Sequence, residues 1–237
     1  MAGRDGVAAD VQGVGTRRVH SHMFPGVDTA LTPFPEIDAQ RDAVQSALYG
    51  TVLPTICVVP LGGLSQVTVN LENVGAGHGF PSGAAQDRRV WVEVHAYEGD
   101  VEVFQTGVVP PDVAVRAVAD PEQWTLGDRL FGADGAPVHM FWEAASYESS
   151  ILPGAITNDV TDPDFTATHR SREFLLPGAN PDRVTVDLHV RPFGLDVVDD
   201  LVGSGHLDPE VRAALPTLPA LRQTVEWRLL DGRACTD

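Results

Sequence analysis

Period-two alternation is the strongest pattern along this chain. Val67, Val69 and Leu71 alternate with Thr68, Asn70 and Glu72, and Val90, Val92, Val94 and Ala96 alternate with Trp91, Glu93, His95 and Tyr97. Such spacing marks strands with one buried and one outward face. Glu98-Gly99-Asp100 reads as a turn, and Val101–Gln105 returns as a hairpin partner. Thr55–Val59 is a short apolar run of the buried-strand kind. Further strands are expected at Thr168–Leu175, Val138–Ser146, Val184–Val190 and Thr224–Leu229, the last with Val225, Trp227 and Leu229 on one face.

Helical spacing is rarer. Residues 37–49 place Ala43, Val44, Ala47 and Leu48 on one face, with Asp38 able to cap the start and Gly50 to end it. Short helices are expected near Pro121–Leu126, over Leu195–Leu201, and from Asp208-Pro209 to about Leu215, where an N-cap precedes proline at the first helical position. Residues 1–36 form an extended N-terminal segment without sustained periodicity, and residues 37–237 a single domain. The expected fold is mainly β: an antiparallel, Ig-like β-sandwich with a few short peripheral helices.

Composition narrows the function classes. The chain has 237 residues, 43% of them hydrophobic, enough for one substantial core. Its formal net charge is -17, which repels phosphate backbones and argues against a nucleic-acid partner. All 16 basic residues are arginine, read mainly as the mark of a GC-rich coding sequence. No apolar run reaches the ~18 residues of a membrane span. Met1-Ala2-Gly3-Arg4-Asp5-Gly6 is not followed by the apolar core of a signal peptide. A secreted protein with this sequence is therefore expected to be a fragment or to lie downstream of a leader. Cys57 and Cys235 are too far apart in sequence for a short metal or redox motif. A buried thiol at Cys57 and an exposed one at Cys235 is the favoured reading over a disulfide.

Catalytic motifs are lacking. There is no Gly-x-Ser-x-Gly elbow, P-loop or dinucleotide fingerprint, and no enzymatic role is expected. Asp196, Asp199 and Asp200 read as a solvated acidic face, and the four tryptophans as core or half-core residues. Among the histidines, His95 and His189 read as surface residues and His139 as partly buried. His20 and His22 form a His-x-His pair, and His78 sits within Gly75-Ala76-Gly77-His78-Gly79-Phe80-Pro81-Ser82-Gly83. Glycines there permit a sharp corner, with the histidine either bonded to a neighbouring carbonyl or presented to a metal centre.

Two stretches resemble a known family. Thr16–Asp28, with His20-Ser21-His22-Met23-Phe24-Pro25-Gly26, is similar to the H-x-F-P-G segment that follows the last haem motif in certain extracytoplasmic multihaem c-type cytochromes. Leu71–Gly83 with Arg88-Arg89-Val90-Trp91 resembles the N-x-G-A-G-H-x-F-P-T/S-G … R-R-x-W element of their C-terminal β domain. The two motifs span roughly residues 16–107. The resemblance implies electron transfer through closely packed haems and a periplasmic or extracellular location. It implies a haem-bearing segment or subunit and a redox protein as partners. It also makes His20, His22 and His78 candidate distal ligands to haem iron. The chain departs from the family in having no Cys-x-x-Cys-His: Cys57 is followed by Val-Val-Pro and Cys235 by Thr-Asp. Haem c is thus implied but cannot be attached covalently here. The competing reading is a haem-free extracytoplasmic β-sandwich that binds a protein or glycan.

Overall fold

The structure, a computed structural model, describes residues 3–20 and 26–236. The described chain opens with a hairpin of β1 (Gly3–Val7) and β2 (Thr16–His20), followed by α1 (Ile37–Leu48). Six longer strands build the sandwich: β3 (Val52–Pro60), β4 (Leu64–Asn73), β5 (Arg89–Glu98) and β6 (Val101–Thr106), then after shorter strands β11 (His169–Pro177) and β12 (Arg183–Arg191). Between β6 and β11 lie β7 (Trp124–Leu126), β8 (Asp128–Phe131), β9 (Pro137–Val138) and β10 (Ser146–Ser149). After β12 come α2 (Leu195–Gly203), α3 (Pro209–Ala214), β13 (Leu218–Pro219) and β14 (Val225–Arg228).

All pairings are antiparallel. One sheet runs β11-β4-β3; the other is centred on β12-β5, with β13 and β14 on the outer edge of β12 and β6 and β7 on the outer edge of β5. The fold is therefore mainly β, with two packed antiparallel sheets and short helices, as the alternation implies. The alternating valines explain why the sheets pack. Val67, Val69 and Leu71 from one sheet face Val90, Val92, Val94, Val184, Val186 and Val190 from the other, and all nine are fully buried. Complete burial of such side chains contributes about 1.5–3 kcal/mol each. Val44 and Leu48 of α1 join this core, and Gln45 Nε2 donates to the Pro219 carbonyl at 2.6 Å.

Several local expectations need correction. Within the extended N-terminal segment, Gly3–Val7 and Thr16–His20 pair as a hairpin; four of the five β2 residues are exposed and only Val19 is half-buried, so no alternation betrays it. Asp38 lies in the first turn of α1, whose N-cap position is Glu36. The stretch 121–126 contains β7 in place of a helix, since Trp124 and Leu126 are both buried on one face of a strand. Val138–Ser146 is not a strand: after β9 it folds into a single 3-10 turn at Phe141–Glu143. Leu229 follows β14 in another such turn and is exposed, so it does not share the buried face of Trp227.

The cysteine expectation is overturned. Cys57 and Cys235 form a disulfide. Residues 234–236 run back along the free edge of β3: Val58 N donates to Ala234 O (2.8 Å) and Thr236 N to Ile56 O (2.9 Å). This tail covers an edge that would otherwise expose unpaired backbone groups.

The candidate functional site

Asn73, the last residue of β4, organises the glycine corner. Its side-chain amide donates to the carbonyls of His78 (2.6 Å) and Pro153 (3.1 Å), and its Oδ1 accepts from Ala76 N (3.1 Å). The corner is pinned on its exit by a two-way backbone bridge between Phe80 and Leu152, at 2.8 and 2.7 Å. Glycine is required for two different reasons here. Gly77 has φ of 71°, in the left-handed region. Gly75 lies against the end of α1, where a Cβ would stand 1.9 Å from the Gly50 carbonyl oxygen.

His78 stands exposed at the tip of this corner. Its Nδ1 is 2.9 Å from the Gly79 carbonyl oxygen. A carbonyl can only accept, so Nδ1 carries a proton, and Nε2 is the nitrogen left to bear the lone pair in the neutral ring. That tautomer is the one a ligating imidazole adopts when a backbone carbonyl fixes its orientation.

His78 is among the residues lining a recess of about 360 Å³ whose walls come from three separated segments. Gly26 and Val27 come from the N-terminal segment, Ala47 and Leu48 from α1, and Phe80 and Pro81 from the corner. The two stretches that carry the family resemblance thus meet around one cavity. Arg88 holds them together. Its guanidinium donates from Nη1 and Nη2 to the two carboxylate oxygens of Asp28 at 2.7 and 3.0 Å, and from Nε to the Ser82 carbonyl at 2.8 Å. The hydrogen bond and charge of Arg88 lower the Asp28 pKa against the opposing effect of partial burial.

Arg89 does equivalent work on the other side of the strand end. It grips Asp196 of α2 at 2.7 and 3.2 Å, and donates to the carbonyls of Gln86 and Arg88. Arg89, Arg88 and Arg191 are all buried. The use of arginine at these positions is therefore structural chemistry as well as coding bias, because only its planar fork makes such two-point contacts. Sequence reasoning marked Arg88-Arg89 only as a motif; their partners are 60 and 107 residues away, and no local signal identifies them.

The other candidate ligands are less closely tied to the recess. His20 is the last residue of β2 and is exposed; it is not among the described residues lining the recess. His22 lies outside the described residues. Among the described residues no cluster of three or more His, Cys, Asp or Glu side chains has metal-binding geometry.

His95 and His189, expected as surface residues, are instead three-quarters or more covered. They share one carboxylate: Glu93 meets His95 Nε2 at 2.8 Å and His189 Nε2 at 3.0 Å, while His95 Nδ1 meets Glu102. Burial opposes the charged form of His95, but hydrogen bonds to Glu93 and Glu102 outweigh it and raise its pKa. Trp91 is also not outward and free: it is 2% exposed, stacked with His189 and covered by the Arg191 guanidinium. Trp124 and Trp227 are buried and Trp142 is exposed, so the four tryptophans form no common stacking surface.

No family model matches this sequence, and no curated protein matches it. Among solved structures, the fold is similar to a penta-heme cytochrome c552 from Thermochromatium tepidum, with a TM-score of 0.55 at 14% identity. The match covers 78% of this chain and 41% of that protein. At this identity the likeness is one of fold: this chain shares its architecture with part of a multihaem cytochrome c.

The residues fit a haem in one respect and not in another. His78, with its Nδ1 proton tied down beside an apolar recess, suits a distal imidazole ligand. Both cysteines are consumed in the disulfide, and no Cys-x-x-Cys-His exists, so nothing here fits thioether attachment.

Proposed function

We propose that this chain is an accessory domain of a multihaem electron-transfer cytochrome, packed against haem-bearing polypeptide supplied by another segment or subunit. The observation that carries the reading is the convergence of His78, Gly26 and Val27 on one recess, because it unites both cytochrome-like motifs. A bound haem would supply one-electron redox chemistry. The protein's part is to present the His78 imidazole in a fixed tautomer and to shield one face with Val27, Leu48 and Phe80. His20 and His22 belong to the same N-terminal segment and are the further candidate distal ligands. A redox protein is the expected external partner.

An extracytoplasmic setting agrees with the disulfide, which persists in oxidising compartments. No described helix is long and apolar enough to cross a membrane. The competing reading, a haem-free binding module, draws support from exposed Phe141, Trp142 and Tyr147, which are 68–70% accessible. Purification of the native protein from its own cells separates the two. The cytochrome reading expects covalent haem to accompany the chain, on the same polypeptide or a tightly held partner; a colourless native protein without a haem-bearing companion contradicts it.

A further inference from the structure

The outer edge of β3 is closed by two different means. Leu61 N donates to Leu64 O on the β4 side, so the odd-numbered residues of β3 bond to β4 and the even-numbered ones turn their backbone groups outward. Two of those outward positions are Pro54 and Pro60, which have no N–H and so blunt the edge permanently. Between them only Ile56 and Val58 offer donors. The C-terminal tail takes both: Ile56 N donates to Thr236 Oγ1 at 3.0 Å and Val58 N to Ala234 O at 2.8 Å. The Cys57–Cys235 bond lies between these contacts and joins residues directly opposite each other.

The tail adds nothing to the core. No residue from Leu229 to Thr236 is buried, and none belongs to the hydrophobic cluster between the sheets. Leu229 N is tied to the Asp182 carbonyl at 2.9 Å, so the portion able to swing begins beyond it. Gly232, with φ of 66°, ends the 3-10 turn at 229–231 and supplies a joint there. So short an exposed segment opens at low free energy once its covalent tie is gone.

Chemical access to the bond is one-sided. Cys235 is exposed and lines a recess of about 330 Å³ with Glu226, Trp227, Asp231, Arg233 and Thr236. Cys57 is half-buried in β3 and does not line that recess. In thiol–disulfide exchange, the sulfur that is reached decides which cysteine leaves. With only two cysteines in the chain, an opened bond has no other protein thiol with which to reshuffle.

We propose that Cys57–Cys235 is a reversible exchange site for an external dithiol, entered at Cys235, and that opening it frees the tail from β3 while the sandwich stays folded. A thiolate of the dithiol attacks Cys235 Sγ, the Cys57–Cys235 bond breaks, and Cys57 leaves as a thiolate that takes up a proton. The second thiol of the reagent then attacks its own sulfur in the mixed disulfide and releases Cys235. The protein gains two electrons and two protons, and the dithiol becomes a disulfide. Ile56 and Val58 are left as bare donors between two prolines. The site requires no haem and takes no part in the His78 recess.

Treatment of the full chain with dithiothreitol at neutral pH, without denaturant, tests it. Both cysteines should become open to alkylation. The Ile56 and Val58 amides should exchange roughly tenfold faster or more, the worth of one net hydrogen bond, while the amides of Val92 and Val94 in β5 keep their protection. Oxidised dithiothreitol should then restore the bond and the lost protection. With excess 2-mercaptoethanol and an acid quench, peptide mass analysis should find the mixed disulfide on Cys235. A bond that opens only in denaturant, protection lost across β5 on reduction, unchanged exchange at Ile56 and Val58, failure to reclose, or an adduct on Cys57 overturns the proposal.

Discussion

Arg88 grips both carboxylate oxygens of Asp28, fastening the segment that follows the His-x-His pair to the strand that follows the glycine corner. The arginine is 9% exposed and the aspartate 57%, so the pair is buried on one side and wet on the other.

Removing the charge at Asp28 should therefore loosen the N-terminal segment without unfolding the sandwich. Asp28→Asn is expected to cost about 1 kcal/mol, between the values of exposed and buried pairs. The Asp28 pKa is lowered in the fold, so its contribution is present above the unfolded value of about 3.9 and is lost as pH falls through the folded value. Urea midpoints of the native chain and Asp28→Asn should differ at neutral pH and converge in acid.

The disulfide closes a loop spanning 178 residues of separation. Its removal should cost about 2–5 kcal/mol, chiefly by freeing the unfolded chain. In a Cys57→Ser/Cys235→Ser variant, hydrogen exchange should accelerate first at Val58 and Thr236, whose amides bridge tail and strand. Unchanged protection at those amides would show that backbone pairing alone holds the tail.

The histidine pair on the outer sheet face predicts a pH signature. His95 has a raised pKa from Glu93 and Glu102 acting against burial, and Glu93 a lowered one, first through its hydrogen bond with His189. The His95 contribution to stability is fully present below the unfolded value of about 6.5 and is lost as pH rises through its folded pKa. Glu93→Gln should lower the His95 pKa measured by NMR. The stability gap between native and variant chains should narrow on the alkaline side of that pKa.

These relationships divide into what a one-dimensional pattern can carry and what it cannot. Alternating Val67, Val69 and Leu71 announce a strand because one face is wholly buried. Thr16–His20 shows no such pattern, because four of its five residues are exposed. Trp142 departs in the opposite way, being apolar yet exposed where a core or half-core position is expected. The corner at His78 was legible because glycine and proline restrict the backbone locally. Asp28–Arg88, Arg89–Asp196 and Cys57–Cys235 were not, since pairing across 60 to 178 residues leaves no local trace.

We propose that His78 serves as a distal ligand to haem iron presented from outside the chain. The direct measurement adds a haem c peptide, bearing its own proximal histidine and an open sixth position, to the purified protein and follows the spin state by absorption and electron paramagnetic resonance. Ligation by the His78 Nε2 predicts conversion of the ferric haem to the low-spin, two-histidine form, with His78→Ala largely abolishing it while leaving the thermal midpoint unchanged. A haem that stays high-spin beside the native chain, or low-spin conversion that survives intact in His78→Ala, would contradict the account.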